Sequence, residues 1–204
     1  MTLPDKYNTI AQLSEGIYKE KGSKFIAYAY PITNEDEIKE HIAVLKKQFY
    51  DARHHCYAWQ LGVDGKQFRA NDDGEPSGTA GKPILGQIRS HELTNILIVI
   101  IRYFGGTKLG TSGLIRAYKE ASIDVINNAT IIEKTVNDHY LINFDYGVMN
   151  DVMKVIKDEN PNVHQQDFNL RCAIELSCRQ SETEALINKL EKIESVNIDF
   201  IRTV

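Results

Sequence analysis

Six consecutive apolar residues, Ile96-Leu97-Ile98-Val99-Ile100-Ile101, stand between two glycine-rich polar segments. The run has no polar alternation. Both faces of a strand over Asn95 to Phe104 therefore need cover, which places it in the middle of a sheet with packed layers above and below. Its flanks are Asn71-Asp72-Asp73-Gly74-Glu75-Pro76-Ser77-Gly78-Thr79-Ala80-Gly81-Lys82-Pro83 and Gly105-Gly106-Thr107-Lys108-Leu109-Gly110-Thr111-Ser112-Gly113. Glycine admits positive φ and lets backbone amides come close to a ligand, and loops on a rigid scaffold are where binding and chemistry concentrate.

Periodicity organises the rest. Tyr18 to Tyr30 reads as two extended pieces joined near Lys21-Gly22-Ser23, the second stopped by Pro31. Asn34 with Glu37 forms a capping box, and Ile38, Ile42, Leu45 and Phe49 make one apolar helical stripe. His55–Val63 and Lys66–Ala70 predict a hairpin around Asp64-Gly65. A short helix from Pro83 to His91 turns Ile84, Leu85 and Ile88 inward. A longer one over about Thr111–Asn127 buries Leu114, Tyr118, Ala121 and Val125, and Thr130–Val136 is a further strand. From Asn137 the pattern becomes strand (His139–Asp145), helix ending before Pro161, paired strands (Val163–Phe168 and Leu170–Ser177), a helix opened by a Ser181–Glu184 capping box, and a last strand (Val196–Ile201). That order, β-α-β-β-α-β, is the split βαβ, ferredoxin-like plan. The expectation is an α+β chain of two domains, 1–136 and 137–204.

Composition narrows the function classes. No segment nears the roughly 18 apolar residues of a membrane span, and Met1–Gln12 lacks a secretory signal pattern. Cys56, Cys172 and Cys178 have no metal-ligand spacing. Reduced thiols in a cytoplasmic protein are expected, with no membrane partner. The net charge of −4 hides an asymmetry: residues 138–204 carry 7 basic and 12 acidic side chains. The stretch 80–120 instead carries Lys82, Arg89, Arg102, Lys108, Arg116 and Lys119 against Glu92 and Glu120. This fits a local cationic surface, or equally a solvated face, and not the overall charge of a strong nucleic-acid binder.

Within the second glycine-rich segment, Arg102 sits where the buried strand ends. Gly105-Gly106 allow a sharp turn, and Thr111 or Ser112 can cap the following helix, whose free amides attract an anion. Lys108 adds charge, and Arg116 and Lys119 share one helical face. An RNA phosphate or nucleotide phosphate is a sensible ligand; a tight turn with an ordinary N-cap is the plain alternative. Asp72, Asp73 and Glu75 supply carboxylate oxygens of the kind magnesium prefers; they equally solvate a turn or pair with Arg102 and Lys82, organising a long loop by accepting backbone amides and neighbouring arginine. Pro76 and Pro83 exclude a phosphate-binding P-loop here. In Arg53-His54-His55-Cys56 the adjacent histidines point to opposite faces of a strand, so no more than one easily joins a site. Cys56 reads as a core thiol, Ser77 lacks a nucleophile elbow, and His41, His91, His139 and His164 lie in ordinary contexts. Tyr57, Trp59, Phe68, Tyr103 and Phe104 lie close to these loops in sequence, as core or as stacking platforms for bases.

His54-His55-Cys56-Tyr57-Ala58, Asn71 to Leu85 and Arg102-Tyr103-Phe104-Gly105-Gly106-Thr107-Lys108-Leu109-Gly110 resemble the signatures of the IMPACT family, in particular its bacterial two-domain branch. The resemblance runs along essentially the whole chain. It implies an N-terminal domain like the second domain of a small-subunit ribosomal protein and like elongation factor G domain IV. It also implies a C-terminal domain similar to a ferredoxin-like domain of that factor. Eukaryotic relatives restrain a starvation-activated kinase by competing for its ribosome-associated activator, using an additional N-terminal domain with no counterpart in this sequence. For bacterial members the resemblance suggests association with RNA or the ribosome.

Three functions are in contention. The first is an RNA- or ribosome-binding protein that modulates translation, with Arg53, His54, Lys82, Arg102, Gly105, Gly106, Lys108, Ser112 and Arg116 forming the phosphate-binding surface and no cofactor. The second is a magnesium-dependent enzyme acting on a phosphorylated small molecule or nucleotide through Asp72, Asp73 and Glu75. The third is an adaptor for a protein partner in translational stress control.

Overall fold

In a computed structural model that describes residues 5–169 and 171–203, the chain divides between Lys134 and Thr135 into two compact units. The first unit contains β1 (Lys6–Ile10), β2 (Ser14–Glu20), β3 (Ser23–Pro31), α1 (Glu35–Gln48), β4 (His54–Leu61), β5 (Gln67–Asn71), α2 (Gly81–Ser90), β6 (Ile96–Tyr103) and α3 (Gly110–Asn127), with β7 (Ile131–Thr135) at its end. Five of its strands form an antiparallel sheet in the order β2-β3-β6-β4-β5. The apolar run is thus the middle strand, between β3 and β4.

Strand parity distributes β6 between two cores. Ile96, Ile98 and Ile100 pack with Ile84, Ile88, Leu114, Tyr118 and Val125 of α2 and α3. Leu97, Val99 and Ile101 pack on the other face with Ile38 and Leu45 of α1, Tyr28 and Trp59. All six are fully buried, and removing each such side chain from water contributes about 1.5–3 kcal/mol. β1 was not foreseen. It pairs with β7 in a separate two-stranded sheet, so the strand expected at Thr130–Val136 exists outside the main sheet.

Local signals hold with adjustments. Asn34 Oδ1 accepts the amides of Asp36 and Glu37 at the start of α1. Glu37 reaches back to the amide and hydroxyl of Thr33, which widens the expected box by one residue. The β4–β5 hairpin closes through the five residues 62–66, not a two-residue Asp64-Gly65 turn: Leu61 pairs with Gln67, and Gly62 and Gly65 both take positive φ. α3 begins at Gly110 with Leu109 as N-cap and no side-chain cap. Thr111 and Ser112 therefore lie inside its first turn and do not cap it.

The second unit runs β8 (Asn137–Phe144), α4 (Met149–Glu159), β9 (Asn162–Phe168), β10 (Cys172–Arg179), α5 (Thr183–Leu190) and β11 (Val196–Thr203), the element order anticipated from the sequence. Its strands pair antiparallel as β11-β8-β10-β9. One face carries the core of Ile142, Phe144, Ile174, Leu176, Val152, Ile156, Leu186 and Leu190. Leu170, assigned to the start of a strand by its pattern, lies outside the described residues. α5 starts with Glu182 as N-cap, one residue later than the Ser181 expected to cap it, and Glu182 makes no side-chain cap hydrogen bond. Thr183 Oγ1 instead donates to Asp138 Oδ2, tying that end of α5 to β8.

Candidate functional site

The two glycine-rich segments of the first unit are joined at their bases. Parity continues past Ile100, so Arg102 points to the α3 side of the sheet. There it meets Glu75 from the first segment, Nη1 to Oε1 at 2.6 Å, with side chains 8% and 3% exposed. Tyr118 of α3 donates to the same oxygen at 2.9 Å, and Cys56 of β4 lies within hydrogen-bonding reach of Tyr118 Oη and of the Asp72 carbonyl. Burial raises both the Cys56 thiol and the Tyr118 phenol well above their ordinary pKa values. A nucleophilic thiolate is thereby suppressed, and Cys56 is a core residue.

The acidic segment is organised by its own carboxylates. Asp72 accepts the amides of Gly78, Ala80 and Gly81 and so serves the first turn of α2, whose N-cap Ala80 has no side chain to do so. Burial pushes the Asp72 carboxyl upward, but the three amides together with Lys82 outweigh it and hold the group below its ordinary value. Asp73 Oδ2 accepts the His55 amide at 2.7 Å, and its carbonyl pairs with His54 Nδ1 at 2.9 Å. A carbonyl only accepts, so Nδ1 is the donating nitrogen of the His54 ring. Asp72, Asp73 and Glu75 face three different sets of partners. Among the described residues no three His, Cys, Asp or Glu side chains gather around a metal position.

A cleft of about 370 Å³ opens where β6 ends and β4 begins, lined by Asp51, Arg53, His54, Arg102, Tyr103, Phe104 and Lys108. Arg53 and Lys108 are exposed. Among the described residues neither makes an ion pair. Phe104 is 58% exposed, and the Arg102 guanidinium lies over its ring at 5.8 Å. Tyr103 donates to Asp51 at 2.7 Å, a hydrogen bond that pushes its phenol up to about 12.

The candidate residues therefore separate into groups. Arg53, His54 and Lys108 line the cleft; Arg102 also borders it, but its charge is committed to Glu75. Arg116 pairs with Glu20 at 3.1 Å, Lys82 is exposed and its charge acts on Asp72 without an ion pair, and neither lines the cleft. Ser112 is exposed in the first turn of α3. Gly105 packs so tightly on the β2–β3 turn that a Cβ would overlap the Gly22 backbone, and Gly106 takes φ +86°. Sequence reasoning missed Asp51, whose signal is weak because it lies in a short loop between α1 and β4. It also missed the near-parallel stack of His139 on His164, 5.1 Å between centroids in the second unit, which depends on strand register.

Comparison with known proteins gives a consistent result. The Impact N-terminal domain family matches residues 21–126. The IMPACT family member YvyE of Bacillus subtilis is 31% identical over 179 residues, covering 88% of this chain and 82% of the relative. The member YigZ of Escherichia coli is 32% identical over 150 residues, covering 72% and 74%. A crystal structure described as that of a hypothetical protein is similar with a TM-score of 0.73 at 26% identity, covering 98% of this chain and 99% of that one.

Proposed function

This chain belongs to the IMPACT family, and from that premise we propose that it binds RNA, on the ribosome or free, and so modulates translation. The first unit corresponds in this reading to the ribosomal-protein and elongation-factor domain named above, and the second to a ferredoxin-like domain of the same factor. The contact is made by the cleft at the end of β6.

One observation carries the reading. Arg102 and Arg116 are paired with acids, while Arg53 and Lys108 are exposed, make no ion pair among the described residues and line one cleft; Lys82 is exposed too but lies outside that lining. Phosphate oxygens complete such a pair without displacing a native partner. The first turn of α3, which lacks a side-chain cap, offers amide donors close in sequence to Lys108.

The test is RNA affinity and ribosome co-sedimentation across a salt series. Binding weakens with salt in proportion to the phosphates neutralised, with a log-log slope of about −0.7 per phosphate on a single strand and −0.9 on a duplex. Replacing Arg53 and Lys108 together by Ala flattens that slope by roughly 1.4 on a single strand. Affinity that ignores salt, or no association with RNA or ribosomes, overturns the reading.

A further inference from the structure

We propose that this cleft receives one unpaired nucleotide of an RNA strand, its base stacked on Phe104 and its phosphate held by Arg53 and Lys108; the inference rests on the RNA-binding reading and specifies its ligand. The lining is wrong for a bare phosphate. It combines two cations with an exposed phenylalanine, a tyrosine and the Asp51 carboxylate. A carboxylate in the wall repels a polyphosphate but accepts hydrogen bonds from the N–H groups of a base edge.

The aromatic is presented for stacking. Arg102 backs the Phe104 ring, and more than half of the residue remains accessible. Every side chain of β6 is buried or half-buried, whereas the large exposed ring immediately after the strand belongs to none of the core clusters among the described residues. At about 370 Å³ the cleft is of the size that holds a small ligand. His54 lines the same cleft, its Nδ1 held by the Asp73 carbonyl so that Nε2 is free to face a ligand, and among the described residues Arg102 Nε is buried without a hydrogen-bond partner. A base in a duplex is stacked on its neighbours and presents no free face, so the arrangement selects single-stranded segments or flipped-out positions.

Fluorescence anisotropy of the intact chain with three labelled probes decides the matter: a short single-stranded RNA, its duplex, and an abasic strand that keeps the phosphates and lacks the bases. The expected result is tightest binding to the single strand. Phe104→Ala should lose roughly 5- to 100-fold on that probe while leaving the abasic strand unaffected. Phe104→Trp should retain affinity, and its added indole should be quenched by the RNA. Equal affinity for the abasic and intact strands, unchanged by Phe104→Ala, overturns the nucleotide inference and leaves the phosphate reading standing. Binding to none of the probes removes both.

Discussion

Arg102 on β6 and Glu75 in the acidic loop form a buried ion pair that links segments separated by a helix and a strand. Their contact is 2.6 Å long and nearly sealed from solvent. The pair organises the loops more than it adds net stability, because removing two charges from water costs several kcal/mol before their attraction is counted. Tyr118 shares the Glu75 oxygen, and the guanidinium lies near the Phe25 and Phe104 rings.

Breaking that pair from one side should be severe. Glu75→Ala leaves a buried guanidinium uncompensated and the Tyr118 hydroxyl without its acceptor, for an expected loss of about 3–5 kcal/mol in urea unfolding. Glu75→Leu combined with Arg102→Met should recover most of that loss. A double variant no more stable than Glu75→Ala would show that the pair's hydrogen bonds, not its buried charge, carry the effect.

Asp72→Ala should cost about 2 kcal/mol at neutral pH, since three amides at the start of α2 lose their acceptor. The pH dependence has a defined sign. The native carboxyl lies below its ordinary value, so its stabilisation is complete above the unfolded-chain value of about 3.9. It disappears as pH falls through the lower native value. Unfolding curves of the wild-type and variant proteins should therefore converge on the acid side, and a gap that stays constant down to roughly pH 2 would contradict the assignment.

Gly105 and Gly106 should respond differently to the same change. Ala at 105 overlaps the Gly22 backbone, and an expected loss of about 3 kcal/mol reflects overpacking that neither the β2–β3 turn nor the β6–α3 loop can relieve. Ala at 106 meets no neighbour and costs about 1 kcal/mol, from its positive φ alone. Thermal or urea denaturation of the two variants separates close approach from backbone freedom.

These contrasts mark where the sequence was legible. The unbroken run of β6 announced a central strand, and the apolar stripes of α1, α2 and α3 announced its cover, because both signals are local and periodic. Arg102 shows the limit. Its identity and position suggested a ligand contact, yet the same period-two rule that buries Ile98 and Ile100 also turns it beneath α3. Pairing of Arg102 with the acidic cluster was one alternative in the sequence, but no local pattern tells which carboxylate makes it, since Glu75 reaches Arg102 only after the chain has folded. β1 escaped notice because Lys6–Ile10 is short and pairs with a strand more than a hundred residues away. Asp51 did so because its role comes from the hydroxyl of Tyr103.

Two histidines should make stability fall as the solution is acidified from neutrality. Burial lowers the His55 pKa against the opposing pull of Asp73 and the Phe49 carbonyl. Burial, with Arg202 and His164 nearby, lowers that of His139 against Glu175 and Asp138. A folded-state value below the unfolded one means that stability is full above about pH 6.5 and declines as the pH falls toward the native values. NMR titration should place both midpoints below 6.5, and His139→Asn should shallow the decline. Midpoints above the ordinary value would reverse the sign and refute the burial argument.

Among the candidate cations, position relative to the cleft should decide the effect on RNA binding. Lys108→Ala and Arg53→Ala each remove a charge from the lining and should each reduce the magnitude of the salt slope by about 0.7 on a single strand. Lys82→Ala removes a charge that stands beside Asp72, and Arg116→Ala one that is paired with Glu20. Both should leave the slope nearly unchanged, because neither lines the cleft and so neither meets the phosphates held there. The Lys82 variant should instead lose a little of the acid-side stability that Asp72 confers. If all four substitutions weakened binding equally, the RNA would be tracking a diffuse basic face, and the cleft would have no special part in holding it.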